Sequence, residues 1–272
     1  MFNRIRFNRI CKRIKKIKIQ GASNIAKAAL KAYYLYPNEI TKRILINLRP
    51  TEPMLSRVLE LAGKKPKEKI LMHFSEAQNK INNNILNLIK NNSVIYTHCH
   101  STNVIKALIY AKKNNKNFEV YNSETRPLFQ GRKTAKELAR AGIKVTQFID
   151  SAIKIALTGS QKEEETKKVN LVLLGADALL NDSVINKVGS GLIAEIAFDA
   201  KIPLYIVADS WKYGSQKIKL EQRDFHEVWN PKENKIHIKN PAFEAVSKKY
   251  IKGIVSEYGI LSYDNFLKKV KK

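Results

Sequence analysis

Only two cysteines, Cys11 and Cys99, occur in the 272 residues, one in a basic segment and the other behind an apolar run. So sparse and unlike a pair does not staple a fold, and both read as free thiols of a reducing compartment. No apolar stretch approaches the roughly 18–20 residues that cross a bilayer. The basic start Met1-Phe2-Asn3-Arg4-Ile5-Arg6 is followed by no apolar signal core. The expectation is a folded, cytoplasmic protein without a membrane segment. Acidic residues are scarce too: 24 Asp and Glu stand against 50 Lys and Arg, a formal charge of +26.

That excess invites a nucleic-acid partner, since clustered cations release counterions from a phosphate backbone. The lysines, however, run along the whole chain among Ile and Asn, and only Arg4 to Lys18 is locally dense. Within it Phe7, Ile10, Ile14 and Ile17 recur at helical spacing, so a solvated helix face accounts for the charges. What a diffuse positive field does suit is a small anionic ligand. His98, Cys99 and His100 raise the question of a metal, but successive strand residues point to opposite faces, and no Cys-x-x-Cys or second histidine cluster completes a set of four ligands. No metal site is expected.

What is present is a 44% hydrophobic chain, enough for a substantial core. Up to Asn92 the apolar spacing is helical, with breaks at Gly21, Pro37, Arg49-Pro50-Thr51 and Gly63-Lys64-Lys65-Pro66. From Ser93 strands and helices alternate: strands near 94–97, 118–122, 144–149, 169–174, 204–208 and 252–256, with helices between and a last helix over 262–271. This predicts an α/β protein, an amino-terminal helical domain (1–92) followed by a Rossmann-like, doubly wound, mostly parallel sheet (93–272).

In such sheets ligands bind beyond the carboxyl ends of the strands, which is where Cys99 and Asp177 fall. Cys99 reads either as a small buried hydrophobe or as a thiol whose thiolate is favoured at a helix start between two histidines. Asp177 closes the run Val169 to Ala176 and is a helix or loop cap or a functional carboxylate. Asn186-Lys187-Val188-Gly189 offers an amide, an ammonium and a turn suited to phosphate or sugar hydroxyls. Arg126 is placed to clamp a phosphate with Glu124 holding its plane, Arg49 sits in an interhelix turn, and Gln20-Gly21-Ala22 precedes a helix start with free amides.

In their order these segments resemble one family. It joins the alpha, beta and delta subunits of translation initiation factor 2B with the methylthioribose-1-phosphate and archaeal-type ribose-1,5-bisphosphate isomerases. The segments are Gln20-Gly21-Ala22, Arg49-Pro50-Thr51, Thr97-His98-Cys99-His100-Ser101, Glu124-Thr125-Arg126-Pro127, Gln130-Gly131, Gly175-Ala176-Asp177, Asn186-Lys187-Val188-Gly189 and Asn240-Pro241-Ala242-Phe243. The resemblance implies a cysteine and an aspartate, Cys99 and Asp177, as the catalytic pair of an aldose–ketose isomerase that takes ribose 1,5-bisphosphate to ribulose 1,5-bisphosphate. It also implies Asp177 as acid toward the ring oxygen and Cys99 as base or proton carrier at C1 and C2. Gln20, Gly21, Ala22, Arg49, Arg126, Asn186 and Lys187 would bind the phosphorylated ribose. No cofactor is required, and a homodimer or an assembly of dimers is expected. Three places depart from the isomerase pattern: Gln20 where those enzymes carry Arg, Glu244 where the family usually has Asp, and no glycine in Ala178-Leu179-Leu180-Asn181-Asp182. Gln20 matches the translation-factor branch, whose reading is a non-catalytic regulatory subunit with a protein partner and a bound nucleotide or sugar phosphate.

Overall fold

Helical periodicity in the first third becomes α1 (Phe2–Lys15), α2 (Ala22–Tyr33), α3 (Glu39–Leu48), α4 (Pro53–Ala62) and α5 (Lys67–Leu86). The computed structural model describes residues 2–16, 18–19, 21–50, 52–159, 166–214, 218, 220–233 and 235–271. α1 ends three residues before Lys18, with Ile14 fully buried and Phe7 and Ile10 packed on the same core; Ile17 lies outside the described residues. Asn38 starts α3 by accepting the Thr41 amide at 2.8 Å. Pro53 opens α4, where its missing N–H is no loss. Ile25, Leu30, Leu45, Leu55 and Ile70 fill the space between these helices.

The alternating part folds as β1 (Ser93–Thr97), α6 (Thr102–Lys113), β2 (Phe118–Ser123), α7 (Gln130–Arg140), β3 (Lys144–Phe148), α8 (Ile153–Thr158), β4 (Leu171–Leu174), β5 (Ala178–Leu179), β6 (Ser183–Lys187), α9 (Ser190–Asp199), β7 (Leu204–Val207), β8 (Phe243–Ser247), β9 (Gly253–Ser256), β10 (Gly259–Leu261) and α10 (Tyr263–Val270). Seven strands form one sheet in the order β10-β9-β7-β4-β1-β2-β3, parallel except for β10. The order reverses between β1 and β4, and that switch point opens a crevice above their carboxyl ends.

Burial on both faces explains the near-continuous apolar strands. Ile95, Leu171, Leu173 and Val207 face a core shared with α5, α6 and α7, whereas Tyr96, Val172, Leu174 and Ile206 face one shared with α8, α9 and α10. Helix α5 belongs to two cores: Ile70 and Phe74 pack among the other amino-terminal helices, Ile81 and Ile85 against the sheet. The expected boundary after residue 92 thus follows a helix common to both parts.

A second sheet, β5-β6-β8, is antiparallel and was not foreseen. Its strands are two to five residues long, and β6 ends in the polar pair Asn186-Lys187 that suggested a ligand loop. Among the described residues no helix is long and apolar enough to cross a membrane.

Candidate active site

After β1 the chain turns sharply at Cys99, whose φ of 62° lies in the left-handed region that a non-glycine residue enters only when its surroundings hold it there. Two threonines of the following βα unit do so. The Cys99 amide donates to Thr125 Oγ1 at 3.1 Å, and Thr134 Oγ1 donates to the Cys99 carbonyl at 2.7 Å. Since that hydroxyl proton is spent on the carbonyl, the 3.1 Å contact between His100 Nδ1 and Thr134 Oγ1 needs the proton on His100 Nδ1. Ser101 then caps α6, accepting from the Val104 amide at 3.5 Å.

His98 is buried and bridges the two sheets. Its Nε2 donates to the Val188 carbonyl at 2.9 Å, which leaves Nδ1 to accept from the Ser123 hydroxyl at 2.6 Å. Burial lowers its pKa, so the ring is neutral and works as a strut. Gly189, at φ 102°, passes close beneath it: a Cβ there would meet the imidazole Nε2 at 3.1 Å. Gly175 likewise lets the end of β4 pass against Ser101, whose side chain a Cβ would overlap.

These turns surround a cavity of about 330 Å³ lined by Cys99, Asp177, Gly21, Ala22, Arg49 and Asn186, with Lys187 beside them. The expected residues Cys99, Asp177, Gly21, Ala22, Arg49, Asn186 and Lys187 therefore meet, although they come from five places in the chain. Gln20 and Thr51 lie outside the described residues. Arg126 is not in the lining: it is exposed, donates from Nη2 to the Val228 carbonyl at 3.1 Å and lies over the Phe129 ring. Glu124 pairs with Arg132 at 2.7 Å, not with Arg126, because α7 begins at Gln130 and brings Arg132 around to it. That start depends on Gly131, where a Cβ would collide with the Ser123 carbonyl.

Three further cations line the cavity: Lys133, Lys212 and Arg223. Lys212 is buried and donates from Nζ to Asn103 Oδ1 at 3.1 Å. It is presented by a single turn, Ser210–Lys212, that Asp209 caps by accepting the Trp211 amide at 2.9 Å. His73 of α5 contacts Asp209 Oδ1 at 2.9 Å and stacks on Trp211 at 3.5 Å, tying the turn to the helices. Sequence reasoning missed Lys212, for nothing local marks one lysine among many. Residues of the first turns of α2 and α6, Ala22 and Ser23 in one and Thr102 and Asn103 in the other, also line the cavity.

Electrostatics correct one expectation. Burial, ahead of every other influence, pushes the Cys99 thiol up to about 12, and the negative charge of Asp177 adds to this while the His100 amide and Lys187 oppose it. The helix start and neutral histidines do not offset that desolvation, so Cys99 rests as a thiol. Asp177 is also raised by burial, against the pull of Lys212, Arg49 and Lys187. Glu52, at the start of α4, is buried to 2% exposure and is raised to about 8 by burial and then by Asp177. Glu244 accepts the Gly191 amide at 2.8 Å and so holds the start of α9 next to Asn186 and Lys187.

Residues 40–263 match the family described as the initiation factor 2 subunit family. A protein of Methanocaldococcus jannaschii named ribose 1,5-bisphosphate isomerase is 33% identical over 92% of this chain and 89% of its own. Two solved structures share the fold. The Pyrococcus horikoshii OT3 translation initiation factor eIF-2B superposes with a TM-score of 0.81 at 24% identity, over 94% of this chain and 97% of that one. The 5-methylthioribose 1-phosphate isomerase of the same organism gives 0.73 at 22% identity, over 97% and 90%.

Proposed function

The chain belongs to the initiation factor 2 subunit family, and on that premise we propose that it is an aldose–ketose isomerase converting ribose 1,5-bisphosphate to ribulose 1,5-bisphosphate. One observation carries this reading: Cys99 and Asp177, from the ends of adjacent parallel strands, converge on a cavity that also holds Arg49, Lys187, Lys212 and Arg223. A cluster of cations around an acid and a thiol suits a bisphosphate whose carbons must exchange protons.

The 1-phosphate locks the sugar ring, so the bond between C1 and the ring oxygen has to break first. Asp177, whose acid form burial favours, protonates the ring oxygen as that bond opens. Its carboxylate then takes the proton from C2, leaving an enol phosphate across C1 and C2. The Cys99 thiol delivers its proton to C1, and the resulting thiolate recovers one from the C2 hydroxyl as the ketone forms. Both groups end as they began, and burial favours the neutral form of each. Lys187, Lys212, Arg49 and Arg223 hold the phosphates, Asn186 a hydroxyl, and the Gly21-Ala22 amides the second phosphate. Arg126, at the surface, would join them only by moving toward the cavity.

The protein works in the cytoplasm as a homodimer or an assembly of dimers. Support for self-association comes from exposed large apolar side chains: Ile155 on α8 and Leu192 and Phe198 on α9 are 52%, 52% and 57% exposed. Sedimentation over a range of concentrations tests it, and a strictly monomeric species contradicts it.

Purified protein incubated with ribose 1,5-bisphosphate should yield the ketose. Cys99→Ser and Asp177→Asn should each lose roughly 10²–10⁴-fold in turnover while still binding substrate. In deuterated water the product should carry deuterium at C1. A folded protein that binds the sugar without converting it would instead be the non-catalytic subunit of the translation-factor branch.

A further inference from the structure

Arg49, at the end of α3, does not wait in the cavity as a free cation. Its Nη2 lies 3.7 Å from Glu52 Oε1 and 3.3 Å from Glu221 Oε2. The charged groups facing Glu52 are Arg49, Asp177 after β4, Lys212 in the turn after β7, and Glu221 ahead of β8. Three carboxyl groups thus crowd two cations before any ligand arrives. A phosphate brought to Arg49 adds up to two more negative charges, and in so buried a corner that charge has to be compensated.

Glu52 has the means to do so. Among the described residues its Oε2 is buried without a hydrogen-bond partner, and the residue lines the cavity. An acceptor-only carboxylate has nothing to give an incoming phosphate, whereas a carboxylic acid has one O–H to donate. We infer that Glu52 is a binding residue of this site, acting in its acid form: it donates from its free oxygen to the anionic group held by Arg49 and, when ionised beforehand, takes up one proton from solvent as that group binds. The inference rests on the proposed reading of the cavity as a phosphate site. Its raised pKa places the uptake on the alkaline side of neutrality, since the acid form already prevails below about 8.

Inorganic phosphate is the probe, because it is not turned over and its second ionisation, about one unit above that of a phosphate ester, is nearly complete over pH 8–9. Calorimetric titration of the wild-type protein at pH 8.5, in two buffers of different ionisation enthalpy, should show net proton uptake. Phosphate affinity should fall by about fivefold between pH 8 and pH 9. Glu52→Gln keeps a donor and removes the titration, so its affinity should stay level over that interval. Glu52→Ala loses the donor, and it should bind more weakly at both pH values. The same slope in Glu52→Gln as in the wild type would assign the uptake to Lys187 or Lys212 and overturn the inference. So would wild-type heats that do not depend on the buffer. Failure here is separable from failure of the isomerase: linked phosphate binding without turnover sinks only the isomerase, and turnover with unlinked binding sinks only this role of Glu52.

Discussion

Gly175, at the end of β4, runs so close to Ser101, the cap of α6, that any side chain at Gly175 would occupy the space of the serine. The contact joins the two strand ends that carry Asp177 and Cys99. Gly175→Ala should therefore push Ser101 off the Val104 amide and shift the Cys99 turn. Overpacking of this kind costs about 1–3 kcal/mol, measured by urea unfolding. Turnover should fall more than tenfold, a larger effect than the lost stability explains.

His98 ties β1 to both Ser123 and the carbonyl of Val188, so His98→Ala leaves two buried polar groups unpaired. A loss of roughly 2–5 kcal/mol is expected. The pH dependence has a definite sign. Burial lowers the pKa of His98 and of His100 in the folded state, so the unfolded chain binds more protons as acidity increases. Stability should decline as the pH falls below about 6.5, the unperturbed histidine value. His98→Ala should flatten that decline in a series of thermal melts.

Glu52 acts at the other end of the scale. Its pKa is raised from 4.5 to about 8 on folding, so the stability it contributes is complete below the unfolded value and is lost as the pH rises through the folded one. Above the histidine range, between pH 7 and pH 9, melting temperature should drop, and Glu52→Gln should show a smaller drop. Equal slopes in the two proteins would contradict the burial of an ionising carboxyl at this position.

Cys99 provides a chemical readout. A thiol at about 12 in place of the usual 9 carries ~10³-fold less thiolate at pH 8, partly offset by the greater nucleophilicity of a more basic sulfur. Alkylation by iodoacetamide, followed by mass spectrometry of the Cys99 peptide, should run roughly 30- to 1,000-fold slower than for a free thiol. It should keep accelerating with pH up to pH 10. Rapid labelling at neutral pH would restore the thiolate that the flanking histidines suggested.

The elements legible in the sequence were those with a strong local signature. Leu171 to Leu174 could only be an inner strand, because a run buried on both faces needs no polar alternation. Helical spacing after the Pro37 break marked α3, whose start Asn38 secures by accepting the Thr41 amide. β6 and β8 were hidden because each is short and partly polar, and each is held by the other across more than fifty residues. The expected pairing of Arg126 with Glu124 does not form, for a similar reason: they are neighbours in sequence, but α7 delivers Arg132 to that carboxylate.

Local pattern alone determined the parallel sheet, the helical start and the placement of Cys99 and Asp177 at strand ends, since periodicity and turn chemistry act over a few residues. Tertiary structure alone decided which of fifty basic residues face the cavity and which carboxyl groups oppose them. It also decided the charge on Cys99. A thiol between two histidines reads as reactive in one dimension, but protonation depends on how much water and which charges surround the sulfur, and those come from β4, β6 and the turns beyond them.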